Sequence, residues 1–134
     1  MNPRYLLDTH VLVRWLVEPK RLSREQTRVL RDAAHRREIV AVSAMSLLEI
    51  AVVFGDESTR SPLYAQKIFD AISSNPAIEI IPLSFEVASE VAALGNGLRD
   101  PADRAIVATA RVRRLKLITS DERIIASDLV AVID

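Results

Sequence analysis

The sequence predicts an α/β fold in which a parallel sheet is covered by helices on both faces. Three observations lead there. Short apolar or β-branched runs alternate with longer segments of helical periodicity, the pattern of parallel strands joined by helical crossovers. The chain has 134 residues and is 49% hydrophobic, about one domain's worth of chain with enough apolar matter for a core. Its three glycines, at 55, 95 and 97, form no linker, and no repeat or low-complexity tract is visible, so one domain over residues 1–134 is expected.

The elements follow in order. Arg4–Leu7 is a brief strand ending at Asp8. Val11, Leu12, Trp15 and Leu16 recur at helical spacing and suit core packing. Ser23 and Gln26 have capping-box spacing, which starts a helix running to about Arg37. Ile39–Val42 is strand-like. Ser43 to Phe54 is an apolar helix stopped near Gly55, with Leu47–Phe54 expected mostly in the core. A further helix spans Ser61–Ser73. Ile78–Ile81 is β-branched and reads as a strand. Ser84 to about Leu94 is helical, ended by Gly95-Asn96-Gly97. Asp100 caps a helix with Pro101 at its first position, reaching Arg113. Leu115–Thr119 is a strand, Asp121–Ala126 a short helix and Leu129–Ile133 a last strand.

Composition excludes several chemistries. There is no cysteine, which removes disulfide scaffolds, thiolate zinc sites and thiol nucleophiles together. Two histidines, His10 and His35, are too few for a histidine-rich metal site. Basic and acidic residues balance at 18 each, which excludes a uniformly basic nucleic-acid binder but not a local basic patch. Residues 1–40 carry 9 basic and 5 acidic groups, 41–98 carry 2 and 7, and 99–134 carry 7 and 6, so any such patch belongs to the ends of the chain. The N-terminus has no signal-peptide pattern and no apolar run is long enough for a membrane span, so a cytoplasmic protein is expected.

The acidic residues carry the functional signal. Asp8 and Asp121 each follow a strand, where an Asp is a good helix cap, with Ser120 an alternative cap to Asp121. Asp103 sits at the third position of a helix capped by Asp100, where the helix dipole favours a carboxylate. Glu49 lies within VSAMSLLEIAVVF. It completes a capping box if that helix starts at Ser46; if it starts at Ser43, Glu49 is a carboxylate on an apolar helix that needs a cation, a hydrogen bond or a proton. Taken together, the four can point into one pocket beyond the carboxyl ends of neighbouring strands, where ligands of parallel sheets bind. Carboxylates so close repel one another, and the usual resolution is a hard divalent cation, Mg²⁺ or Mn²⁺. Such an ion polarises a water for attack on a phosphodiester.

These residues resemble the PIN domain, specifically the VapC-type ribonuclease toxins of bacterial or archaeal toxin–antitoxin systems. The resemblance is carried by LLDTHVLVRWL, VSAMSLLEIA, RDPADRAIVATA and LITSDERI, whose order and spacing agree with the family from residue 6 to residue 124. It implies a three-layer α/β/α sandwich with a central parallel sheet. It makes Asp8, Glu49, Asp103 and Asp121 the catalytic, metal-binding carboxylates, with Asp100 as an outer member and Thr9 and Ser120 as supporting hydroxyls. It implies Mg²⁺- or Mn²⁺-dependent endoribonuclease activity leaving a 5′-phosphate and a 3′-hydroxyl, a homodimer, and neutralisation by a cognate antitoxin protein. One departure is Leu48, where close relatives often carry an aromatic; it is expected to alter packing or the groove rather than the chemistry.

The helix from Ser23 has Leu22, Gln26, Val29, Leu30 and Ala33 on one side and Arg21, Arg24, Arg28, Arg31 and His35 on the other. That basic face is a solvated surface, a phosphate-tracking stripe for RNA, or a contact for an acidic antitoxin segment. Arg14 is close enough to Asp8 to reach a pocket rim, so Arg14, Arg24, Arg28 and Arg31 are the candidate RNA contacts. His10 faces the pocket or caps its helix. Arg104 follows Asp103, but adjacent helix residues diverge, so no ion pair between them is expected. Two other classes remain: a catalytically weak PIN-like subunit that acts by binding within its antitoxin complex, and other acidic-pocket α/β proteins. A receiver domain needs an Asp after strand three, where Ile80-Ile81-Pro82-Leu83-Ser84 stands, and a D-x-D phosphatase needs an acid at position 10.

Overall fold

The computed structural model describes residues 2–55 and 63–134. The elements are β1 (Tyr5–Leu7), α1 (Thr9–Val17), a single 3₁₀ turn (Pro19–Arg21), α2 (Arg24–His35), β2 (Val40–Ser43), α3 (Ala44–Phe54), α4 (Leu63–Ser73), β3 (Ile78–Ile81), α5 (Phe85–Ala93), α6 (Pro101–Arg113), β4 (Lys116–Ile118), α7 (Glu122–Ser127) and β5 (Val132–Ile133). All strand pairs are parallel and the sheet order is β3-β2-β1-β4-β5. Serine 61 and residue 62, expected to open the fourth helix, lie outside the described residues.

Alternation along the strands builds two cores. Leu6, Ala41 and Leu117 face one way and pack with Val87, Ile106 and Ile124 of α5, α6 and α7. Leu7, Val42 and Ile118 face the other way and pack with Leu12, Leu30 and Ile68 of α1, α2 and α4. A two-residue period therefore places helices on both faces, giving the three-layer α/β/α sandwich expected from the sequence. No helix among the described residues is long and apolar enough to cross a membrane.

Side-chain caps fix where helices begin. Ser23 accepts from the Gln26 amide while Gln26 accepts from the Ser23 amide, a complete capping box. Ser43 caps α3, so that helix does not start at Ser46 and Glu49 is not a capping-box residue. Ser84 caps α5, and Gly95 follows that helix at a φ of 76°, a backbone shape that glycine adopts without penalty. Helices α2 and α6 end differently: Arg37 and Arg114 take the left-handed conformation themselves, at φ 55° and 56°.

The apolar helix α3 corrects one expectation. Only Ser46 and Ile50 are buried on it, while Leu48, Val52 and Val53 are 56%, 66% and 58% exposed. A helix apolar all round can bury only the stripe that meets the sheet, so most of Leu47–Phe54 lies outside the core. Leu48, the departure from the family pattern, sits on this exposed side.

Candidate active site

Strand order reverses around β1, and the carboxyl ends of β1 and β4 lie side by side there. A pocket at this point is lined by Asp8, Glu49, Asp103 and Asp121, with Asp100 at its edge. Asp8 and Asp121 stand at strand–helix junctions, Glu49 lies within α3 and Asp103 in the first turn of α6, and the sheet topology brings all four to one place.

Three of these acids also cap helices. Asp8 accepts the Thr9 amide through Oδ1 at 2.8 Å at the start of α1. Asp100 accepts the Asp103 amide at 3.0 Å at the start of α6, and Asp121 accepts the Arg123 amide at 2.9 Å at the start of α7. Capping occupies one oxygen and fixes the plane of the carboxylate, and the residue still faces the pocket. The capping and pocket roles that compete in the sequence therefore coexist in the fold, and Asp121 rather than Ser120 is the cap of α7.

Buried hydroxyls hold the pocket's acids in place. The Thr119 hydroxyl donates to Asp8 Oδ2 at 2.7 Å and accepts the Asp121 amide at 3.0 Å, tying two of the four acids through one side chain. The Thr9 hydroxyl donates to Glu49 Oε1 at 2.5 Å and shares a 2.8 Å hydrogen bond with Ser46 Oγ. Glu49 thus has the hydrogen-bond partner that its place on an apolar helix demands. Ser120, expected to support the acids with its hydroxyl, instead accepts from Gln26 Nε2 at 2.8 Å and anchors the loop to α2. Thr119 and Ser46 do the work that the sequence did not assign, because an isolated hydroxyl carries no pattern.

The electrostatics record the crowding. Asp103 is only 8% exposed, and its carboxyl is pushed up to about 7, first by burial and then by the charges of Asp100, Asp8, Asp121 and Glu49. Glu49 is raised as well, mainly by burial, with Asp8 and Asp100 adding to it and the Thr9 hydroxyl opposing it. His10 accepts the Ser120 amide through Nε2 at 2.9 Å, so its proton sits on Nδ1, 3.6 Å from Asp8 Oδ2. Burial lowers its pKa, Asp8 and Asp121 oppose that, and Arg14 adds to it. A neutral imidazole holding two loops together matches the structural role open to it.

The donors fit a hard cation. They are carboxylate oxygens; there is no thiol, and the Nε2 of the one nearby histidine is already occupied by an amide. Among the described residues no three His, Asp or Glu side chains close into a ready-made metal cage. Carboxylate oxygens are the ligands of hard ions that keep waters and take phosphate as a further ligand.

Arginines divide by position. Arg14 lines the pocket as expected, together with Arg21 and Arg123. Arg21 belongs to the 3₁₀ turn rather than to the face of α2, and Arg123 leans 3.6 Å from Asp121; neither was among the candidate RNA contacts. Arg24, Arg28 and Arg31 point away from the pocket, and Arg28 is engaged by Glu25 and Asp32. Arg104 diverges from Asp103 and donates to the carbonyls of Val91, Gly95 and Leu98, clamping the loop that delivers Asp100.

Comparison with known proteins places this architecture. The PIN domain family matches residues 5–128. Ribonuclease VapC22 of Mycobacterium tuberculosis is 30% identical over 120 residues, covering 89% of this chain and 88% of that protein. The crystal structure of VapBC2 from Rickettsia felis bound to a DNA fragment from their promoter is similar in fold, with a TM-score of 0.74 at 18% identity and 96% of each chain covered. The DNA-bound VapBC from Salmonella typhimurium has a TM-score of 0.75 at 16% identity, covering 100% of this chain and 98% of that one. The chain belongs to the PIN-domain family, among its VapC-type ribonucleases.

Proposed function

We propose that this chain is the toxin of a type II toxin–antitoxin pair, a cytoplasmic endoribonuclease that uses Mg²⁺ or Mn²⁺ held by Asp8, Glu49, Asp103 and Asp121. The carrying observation is the convergence of four acids from separate parts of the chain on one pocket, close enough that their charges help to push Asp103 to about 7. When bound, the divalent ion supplies neutralising charge and Lewis-acid polarisation of water and phosphate. The chain's own residues supply the rest. Thr119 and Thr9 fix the orientation of Asp8 and Glu49, while Arg104 clamps the loop that leads to Asp100 in the pocket lining. Arg14 and Arg21 offer charge to phosphates flanking the cut, offsetting the repulsion between RNA and the acids.

The exposed apolar side of α3, beside Val53 and Phe54 at the pocket wall, offers a surface for a homodimer or for a cognate antitoxin segment. The structural similarity to VapBC and toxin–antitoxin complexes from Rickettsia felis, Klebsiella pneumoniae and Mycobacterium tuberculosis supports this reading of the partner. The test is cleavage of a mixed structured-RNA pool by purified protein with Mg²⁺, Mn²⁺ or EDTA, beside Asp8→Asn and Asp103→Asn. Metal-dependent cuts absent in both variants are the expected result. Cuts that persist in EDTA or in both variants would overturn the assignment. Binding of RNA without any cutting would favour the weakly catalytic binding subunit.

A further inference from the structure

The pole opposite the pocket, at the amino ends of the central strands, carries a second concentration of charge. Arg4 precedes β1, Arg36 and Arg37 precede β2, and Arg113 and Arg114 precede β4, which opens with Lys116. All six side chains are exposed. They form a continuous band. The Lys116 amide donates to the Arg4 carbonyl at 3.0 Å, Arg4 grips Glu38 through two nitrogens at 3.0 and 2.9 Å, and Arg36 lies 3.8 Å from the same carboxylate. Arg113 reaches across to Glu79 of β3 at 3.0 Å. Arg37, Arg114 and Lys116 have no ion-pair partner among the described residues, so their charge is available to an incoming anion.

We propose that this band docks the body of a folded RNA while the pocket on the far side cuts it, an inference that rests on the ribonuclease reading of the pocket. The simpler account is that cations suit the carboxyl ends of α2 and α6, whose dipoles are negative there. It does not cover the band. Lys116 lies in a strand, and α6 already has Arg111 and Arg113 in its last turn, paired with Glu90 and Glu79, before Arg114 is added. Arg37 and Arg114 also hold left-handed backbone that glycine would adopt without penalty, so arginine is present there at a cost in stability. Two such arginines, just before the strands that flank β1, place free guanidinium groups at one surface.

Charge complementarity selects the occupant. The protein has no net charge and its pocket is acidic, so a polyanion receives no general attraction and must find a local positive surface. The substrate expected at the pocket is itself such a polyanion. The band and the carboxylates lie at opposite ends of strands that rise about 13 Å from Arg4 to Asp8, with helices packed between them on both faces, so touching both takes a folded RNA larger than a trinucleotide.

The test combines Arg37→Gly, Arg114→Gly and Lys116→Thr in the full chain. Binding of an RNA hairpin is read in EDTA, where no cleavage is needed, across a salt series, with duplex DNA of equal length alongside. Cleavage of a trinucleotide is read separately with Mg²⁺ or Mn²⁺, and a thermal melt checks folding. The expected result is hairpin binding about tenfold weaker at 100 mM salt and a salt slope shallower by about 2 to 3, with trinucleotide cleavage unchanged and no loss in melting temperature. Unchanged hairpin affinity and slope would overturn the proposal, leaving the cations to serve the helix ends. A loss confined to duplex DNA would overturn it in favour of a DNA surface. Absence of any cleavage by the wild type would defeat the ribonuclease reading, and the EDTA binding arm would report on the band independently.

Discussion

Four carboxylates crowd the carboxyl ends of the central strands, while six exposed cations ring the amino ends of the same strands. The two ends differ in how their side chains are held. Asp8 and Asp103 are 4% and 8% exposed, and Asp8, Glu49 and Asp121 are tied to Thr9 and Thr119. At the other end Arg37, Arg114 and Lys116 are in water and unpaired among the described residues. One end is a preorganised site, where a displacement of an ångström is costly; the other is a diffuse surface whose contribution is summed charge. Losing one group should therefore be severe at the acidic end and graded at the basic end.

The largest effect expected is at the acidic end. Asp103→Asn or Asp8→Asn should lower kcat/KM on RNA by at least about 100-fold, since several kcal/mol of charge stabilisation depend on an intact carboxylate set. A loss of only a few-fold in either variant would place the chemistry elsewhere. Next is Thr119→Val, which keeps the shape but leaves Asp8 Oδ2 and the Asp121 amide without their shared hydroxyl. Activity should fall about 10- to 100-fold and stability by about 1–3 kcal/mol. Thr119→Ser should restore much of both, which a purely steric role for the methyl group would not allow.

The contrast between the ends also separates what the sequence discloses from what it hides. Asp8 and Asp121 are legible because each stands where a strand turns into a helix, and Asp100 because it precedes Pro101 at a helix start; capping chemistry marks all three positions. Glu49 was legible as a charge among apolar neighbours. Gln26 was legible as half of a capping box, but its second contact, to Ser120, spans 94 residues and needs the folded sheet. From sequence Thr119 is only a strand residue, and its hydroxyl gains meaning when β1 and β4 become neighbours. The exposed side of α3 was hidden for a different reason: a helix apolar on every side has no periodicity to say which stripe is buried. The basic band was hidden because its residues come from three separate stretches that only strand order brings together.

A pH experiment sharpens the electrostatic half of the comparison. The carboxyl of Asp103 has its pKa raised from 3.8 to about 7 in the folded chain. A carboxyl raised on folding contributes stability that is present below the unfolded value and lost as pH rises through the folded value. Between pH 4 and 7, then, the metal-free protein loses stability through this group, and Asp103→Asn does not. Glu49 is shifted in the same direction, whereas the lowered pKa of His10 acts the opposite way, costing stability as pH falls below 6.5. The informative quantity is therefore the difference between wild type and Asp103→Asn. In EDTA, the variant should melt higher than wild type at pH 8, and the advantage should vanish by pH 4. Added Mg²⁺ or Mn²⁺ should raise the wild type at pH 8 more than the variant. A variant that melts lower than wild type at pH 8 without metal would mean that the Asp103 carboxylate is stabilised in the fold, against the crowding argued for the pocket.

The smallest effect belongs to the basic end and has the opposite sign. Arg37 and Arg114 each hold left-handed backbone, where a Cβ crowds the following carbonyl at a cost of roughly 1–2 kcal/mol that glycine avoids. Glycine also adds freedom to the unfolded chain, which takes back part of that gain. Arg37→Gly and Arg114→Gly should each stabilise the protein by about 0.5–1 kcal/mol, read as a rise of a few degrees in melting temperature. Asp128 shares the same backbone shape at φ 56°, yet it lies at the end of α7, and Asp128→Gly provides a control outside the basic band. All three glycine variants should melt higher, but only those at Arg37 and Arg114 should weaken hairpin binding. A gain in stability coupled to a loss of binding at those two positions, and not at Asp128, would identify the two arginines as residues that lower stability in exchange for contact with RNA. A fall in melting temperature at Arg37 or Arg114 would show instead that the guanidinium groups contribute to the fold.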